Sequence, residues 1–102
     1  MAAAFVQEFA LVDGDTSTTN YDAVATEIGR TAPEGLIVHT AGFDHDRGVF
    51  RIVDVWESRE AGQRFMDEKL KPIIERMAAE RSEEDFRPPE VESWYELHDV
   101  LR

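Results

Sequence analysis

The feature that most constrains the fold is the stretch Val49 to Trp56, VFRIVDVW, because both of its alternating residue sets are largely apolar. One set is Val49, Arg51, Val53 and Val55; the other is Phe50, Ile52, Asp54 and Trp56. Successive strand side chains point to opposite faces, so this segment has apolar demands on both sides and belongs in the middle of a sheet. A helix follows directly. Ser58 offers an N-cap oxygen, and Glu60 puts negative charge in a first turn whose unpaired N–H groups and dipole favour it. The sequence predicts a helix starting at about Arg59.

The remaining elements follow in order. Ala4 to Val12 is rich in aromatic and branched residues and stops at Asp13-Gly14-Asp15, which predicts a first strand. Thr19 with Asp22 fits a capping box, and Tyr21, Val24, Ala25 and Ile28 recur at helical spacing until Gly29 supplies a stop. LIVHTAG predicts a second strand, turning at Asp44-His45-Asp46-Arg47-Gly48 into the central one. Ala61, Gly62, Phe65, Met66 and Leu70 form a two-row helical stripe; Pro72 predicts a kink or restart, continuing to about Arg81. Ser82 to Glu90 predicts a charged loop, and Val91 to Leu101 a last strand.

The order β-α-β-β-α-β predicts an α+β, ferredoxin-like fold: an antiparallel four-stranded sheet with both helices on one face, formed by one domain over residues 1–102. Two helices cover one face only, yet the central strand needs apolar cover on both. The bare face therefore calls for another molecule, most simply a second copy in a homodimer.

Charge narrows the partners. With 22 Asp+Glu against 11 Lys+Arg, the net charge of -11 repels nucleic-acid phosphates and anionic lipid heads. Cysteine is absent, which excludes disulfides, thiolate nucleophiles and Cys-ligated metals. The N-terminus lacks a basic segment ahead of a long apolar core, and no apolar run nears the roughly 20 residues that span a bilayer. The expectation is a cytoplasmic protein with neither a nucleic-acid nor a membrane partner.

The PEGLIVHTAG strand, the hairpin, and VDVWES running straight into REAGQRFM resemble the dimeric α+β barrel superfamily, within it the proteins similar to antibiotic-biosynthesis monooxygenases. The resemblance covers essentially the whole length. It implies dimers whose sheets face each other, and a pocket between sheet and helices in each subunit. Such pockets serve cofactor-independent oxygenation of aromatic polyketides, cyclisation or isomerisation, and haem degradation. The haem-degrading branch uses a Trp at the end of this strand, an axial His on the next helix and an Asn on the first strand. Trp56 matches the first; the helix from Arg59 has no His, and the first strand offers Gln7 and Glu8. The cofactor-independent oxygenases use a Trp, an Asn and a Tyr, and the chain's one Asn is Asn20.

Asp54 is the most unusual residue: an ionised carboxylate in an apolar strand costs several kcal/mol, to an order of magnitude, unless it is paired or protonated. It is the candidate catalytic base or orienter, because a pocket carboxylate could take a proton from an acidic C–H or a phenol. His39 is its candidate partner. A four-residue hairpin loop, His45–Gly48, sets His39 opposite Asp54, whereas a three-residue loop sends it to the other face. Arg51 faces away from Asp54. Trp56, Phe50, Ile52 and Phe65 are the candidate pocket walls, Gly62 makes room for a ligand or for close packing, and His98 in the last strand could reach the pocket or the dimer seam. Asp44, His45 and Asp46 fit a hairpin tip, so no metal site is expected, and no cofactor. The functional expectation is a small-molecule enzyme, a cofactor-independent monooxygenase or a cyclase/isomerase, acting on an apolar aromatic or polyketide-like ligand. The alternatives are a non-catalytic ligand-binding or stress-type protein and, third, haem binding or degradation.

Overall fold

The computed structural model describes residues 1–29, 31–81 and 86–101. Strand β1 (Ala3–Ala10) is followed by helix α1 (Thr19–Ile28), strands β2 (Leu36–Asp44) and β3 (Val49–Trp56), and helix α2 (Arg59–Phe65). A π-helical segment (Met66–Leu70), helix α3 (Lys71–Glu80) and strand β4 (Val91–Glu96) complete the chain. The sheet is antiparallel throughout in the order β2-β3-β1-β4, so the doubly apolar strand is central. No described helix is long and apolar enough to cross a membrane.

Register assigns the faces. Ala3 lies opposite Trp56, Phe5 opposite Asp54 and Trp94 opposite Phe5. Directly opposed residues share a face, so these side chains all lie beneath the helices with Ile52 and Phe50. Phe5 and Trp56 are each 2% exposed, and they form the core with Ala3, Ala4, Met66 and Met77. Phe5 stacks on Trp94 with centroids 4.5 Å apart, and Trp56 meets Phe65 at 5.6 Å.

Local chemistry explains the helix limits. Ser58 Oγ accepts from the Ala61 N–H at 3.1 Å and starts α2. Pro72 has no N–H, and the chain adapts upstream of it: the Lys71 N–H donates to the Met66 carbonyl, one residue beyond the α spacing. The expected kink is thus a π segment within a continuous helical path. The first helix corrects the expected capping box at Thr19. Its N-cap is Thr18, whose carbonyl accepts from the Asp22 N–H at 2.7 Å and whose hydroxyl donates to the Asp22 carboxylate at 2.8 Å. Gly29 closes the helix with φ 90°.

The last strand is shorter than expected. It ends at Glu96, Leu97 donates its N–H to the Ala2 carbonyl, and His98 lies exposed beyond the strand. The loop expected over Ser82–Glu90 falls partly outside the described residues.

On the other face of the sheet Val38 is 46% and Tyr95 49% exposed. Arg51 also stands there, with Nε donating to Glu8 at 2.7 Å and Nη2 to Asp44 at 3.0 Å. Among the described residues this sheet face thus carries exposed apolar side chains beside one charged cluster.

Candidate functional site

The site begins at the β-hairpin. Asp44 pairs with Val49, leaving the four residues His45–Gly48 as the loop, and this register puts His39 opposite Asp54. Asp44 Oδ1 accepts from the Arg47 N–H at 3.2 Å, an ordinary turn contact. Among the described residues, no group of three or more His, Asp or Glu side chains is placed to hold a metal ion.

His39 Nδ1 and Asp54 Oδ1 are hydrogen-bonded partners. The Asp54 side chain is 17% exposed and that of His39 40%, so a partly buried carboxylate is held under an imidazole at the rim. The bond to Asp54 raises the His39 pKa above its ordinary value; burial opposes this, and the carboxylate's charge adds to it. Asp54 thereby finds the partner that its position demands. Arg51, on the opposite face, belongs to Glu8 and Asp44 instead.

A third side chain enters from α1. The Tyr21 hydroxyl lies 2.6 Å from His39 Nε2, and the two rings are nearly parallel, 5° apart, with centroids separated by 6.2 Å. Phe50 supports Tyr21 in an edge contact at 5.3 Å and leans on Phe43 at 5.0 Å. Asp54, His39 and Tyr21 thus form one chain of hydrogen-bonded groups that spans β3, β2 and α1. Sequence reasoning had no means of selecting Tyr21 over Tyr95, because periodicity gives a helix its stripe but not its rotation over a particular strand.

Trp56 stands two residues along the same strand face, deep beneath α2. A Cβ added at Gly62 would lie 2.5 Å from Trp94 Cη2 and 2.9 Å from Trp56 Cδ1 and Cγ, so this glycine serves close packing of helix on indoles. Gly35, at φ 87°, permits a similarly close approach, since its Cβ would fall 2.7 Å from that of Ala61. Trp56 Nε1 is buried and has no hydrogen-bond partner among the described residues. An unpaired buried donor costs about 1–3 kcal/mol, which marks the indole N–H as a group with unspent capacity.

The expected walls are therefore distributed. Trp56, Phe65 and Gly62 are packed together, Phe50 sits with Tyr21 beside the dyad, and Ile52 lies on the same strand face between Phe50 and Asp54. His98, beyond β4, has no described contact with this group. Two open clefts lie elsewhere: one of about 270 Å³ bounded by Arg59, Glu60, Trp94 and Glu96, the other on the opposite sheet face at Thr40, Gly42 and Arg51. The helices contain no His, so they offer haem no axial imidazole.

This arrangement sits in a known fold. No family model matches the sequence, and no curated protein matches it either. Solved structures do match. The Mycobacterium tuberculosis protein Rv0793 is similar at 18% identity over all of both chains, with a TM-score of 0.69. A candidate antibiotic biosynthesis monooxygenase from Chloroflexus aurantiacus is 13% identical over 100% of this chain and 98% of its own, TM-score 0.66. SnoaB, a cofactor-independent oxygenase from Streptomyces nogalater, is 16% identical over 98% of this chain and 96% of its own, TM-score 0.61. The chain shares the α+β, ferredoxin-like fold of these solved antibiotic-biosynthesis-monooxygenase-like structures.

Proposed function

We propose that this protein is a homodimeric enzyme that removes a proton from an apolar, aromatic or polyketide-like compound without a bound cofactor. The resulting anion then reacts with dissolved dioxygen or rearranges. The observation that carries the reading is the Asp54–His39 pair: a partly buried carboxylate fixes one ring nitrogen of an imidazole and stabilises the cation formed when that ring accepts a proton. Fold likeness to a cofactor-independent oxygenase supports the reaction class by analogy only. The buried Trp56 N–H, on the same strand face, would supply a donor to a ligand carbonyl, with Phe65 as an apolar wall. Exposed Val38 and Tyr95 on the opposite sheet face support burial against a second copy, with Arg51, Glu8 and Asp44 setting its register.

One observation favours a non-catalytic ligand-binding protein instead: Trp56 is 2% exposed and its ring is already packed by Phe65 and by α2 at Gly62. The two readings separate in an oxygen electrode. The protein is mixed with a panel of flat polyphenols and anthrones, with no added flavin or metal, and oxygen uptake is followed beside ligand-induced quenching of Trp56 fluorescence in a Trp94→Phe variant. Uptake above the protein-free rate, lost in Asp54→Asn, supports the enzyme. Quenching with neither oxygen uptake nor any change in the ligand's own absorbance spectrum transfers the conclusion to the binding protein.

A further inference from the structure

Both ring nitrogens of His39 are engaged. Nδ1 faces the Asp54 carboxylate and Nε2 faces the Tyr21 hydroxyl at 2.6 Å. An ionised carboxylate accepts only, so Nδ1 carries the proton it shares with Asp54; in the neutral imidazole Nε2 is then an acceptor, and the Tyr21 O–H donates to it. A substrate proton has no direct line to Nε2 while the phenol stands there. From this blockade we infer that Tyr21 is the group that meets the substrate, with His39 and Asp54 acting through it. This rests on the proton-abstraction reading above and changes which atom performs it.

The step balances without any further reagent. The substrate C–H or O–H bond breaks as its proton joins the Tyr21 oxygen, while the original Tyr21 proton moves to His39 Nε2. An enolate or phenolate, a neutral tyrosine and an imidazolium facing Asp54 remain. The phenol oxygen has acceptor capacity besides the proton it donates, so one atom can pass one proton on as it receives another. The proton comes to rest on the His39 imidazole, so the substrate must be an acid strong enough to protonate it, because proton transfer is most efficient between groups of comparable acidity. The class that meets this demand is phenols and carbon acids activated by two carbonyl groups; a simple ketone is far too weak an acid. Phe50, in edge contact with the Tyr21 ring, holds it against rotation away from the imidazole.

The test uses ethyl benzoylacetate, an aromatic carbon acid of this class, whose central C–H exchange with deuterated buffer is read by NMR without an oxidant. The wild-type protein accelerates the exchange. Tyr21→Phe loses about a hundredfold or more of that acceleration, as expected for a general base, His39→Gln loses as much, and the double variant loses no more than either single one. Circular dichroism and thermal melting establish that each variant folds. If Tyr21→Phe exchanges like wild type while His39→Gln does not, His39 touches the substrate itself and the inference falls, leaving the proposed function standing. If the wild-type protein does no better than buffer, the proton-abstraction reading falls. A second arm needs no substrate. Tyr21 and Tyr95 are the chain's two tyrosines, so in a Tyr95→Phe background the ultraviolet absorbance of phenolate reports Tyr21 alone. Its ionisation shifts when His39 is replaced by Gln; an unmoved titration overturns the coupling.

Discussion

Replacing Gly62 by Ala sets two effects of opposite sign against each other, and the geometry decides between them. Within a helix Ala is favoured over Gly by up to about 1 kcal/mol, so propensity alone predicts a more stable protein. The added Cβ would instead lie 2.5 Å from Trp94 Cη2, about 0.9 Å short of the 3.4 Å at which ordinary contact begins, and 2.9 Å from two Trp56 atoms. Neither ring can yield cheaply. Trp56 is 2% exposed and braced by Phe65, and Trp94 is stacked on the buried Phe5. Overpacking of this kind costs about 1–3 kcal/mol, and two rigid rings place it toward the top of that range. The net expectation is a loss of about 1–2 kcal/mol, which for a chain of this length lowers Tm by roughly 5–15 °C. Thermal unfolding followed by near-ultraviolet circular dichroism reads both the midpoint and the indole environment. A Tm equal to or above wild type would show that helix and sheet separate freely at this point and would refute the packing argument.

Other perturbations follow from the same geometry. In a Trp94→Phe variant Trp56 alone emits, and its emission should be that of a fully buried indole, blue-shifted and poorly quenched by iodide; a solvent-like spectrum would contradict the packed position. Arg76→Ala breaks an exposed 2.8 Å pair with Glu27 that ties α3 to α1, and should cost no more than about 1 kcal/mol in a urea titration. Arg51→Ala leaves Glu8 and Asp44 without their shared cation, and analytical ultracentrifugation should show a shift toward monomer if that face is the dimer seam. The His39 pKa is raised in the folded state, so its contribution to stability is fully present below the unfolded value of about 6.5 and fades as pH rises through the folded value. Urea titrations across that range should lose this slope in Asp54→Asn.

Much of the fold was legible because the relevant signals are local. The two-faced apolarity of Val49–Trp56 places β3 centrally, Ser58 caps α2, and Gly29 ends α1. Errors gathered where a signal reads equally well one residue or a few residues away. Thr18 and Thr19 are adjacent and chemically alike, so the cap slipped by one, and the apolar residues beyond Glu96 resemble a strand that the partner β1 does not extend to receive. The candidate site was half visible. Asp54 announced itself by the cost of its position, and His39 was tied to it by one of two hairpin registers that the turn residues could not separate. Tyr21 gave no such signal, since its place beside His39 depends on how α1 rotates above β2. Gly62 carried two meanings, space for a ligand or close approach, and only the positions of Trp56 and Trp94 distinguish them.

The most direct test of the account is an NMR titration of the His39 ring, assigned among the chain's three histidines by its loss in His39→Gln. The account predicts a midpoint above about 6.5 that falls back in Asp54→Asn, and ring nitrogen shifts at Nε2 that move in Tyr21→Phe while those at Nδ1 hold. A midpoint at the ordinary value, indifferent to both substitutions, would contradict it, for His39 would then be a solvated strand residue with neither carboxylate nor phenol bound to it.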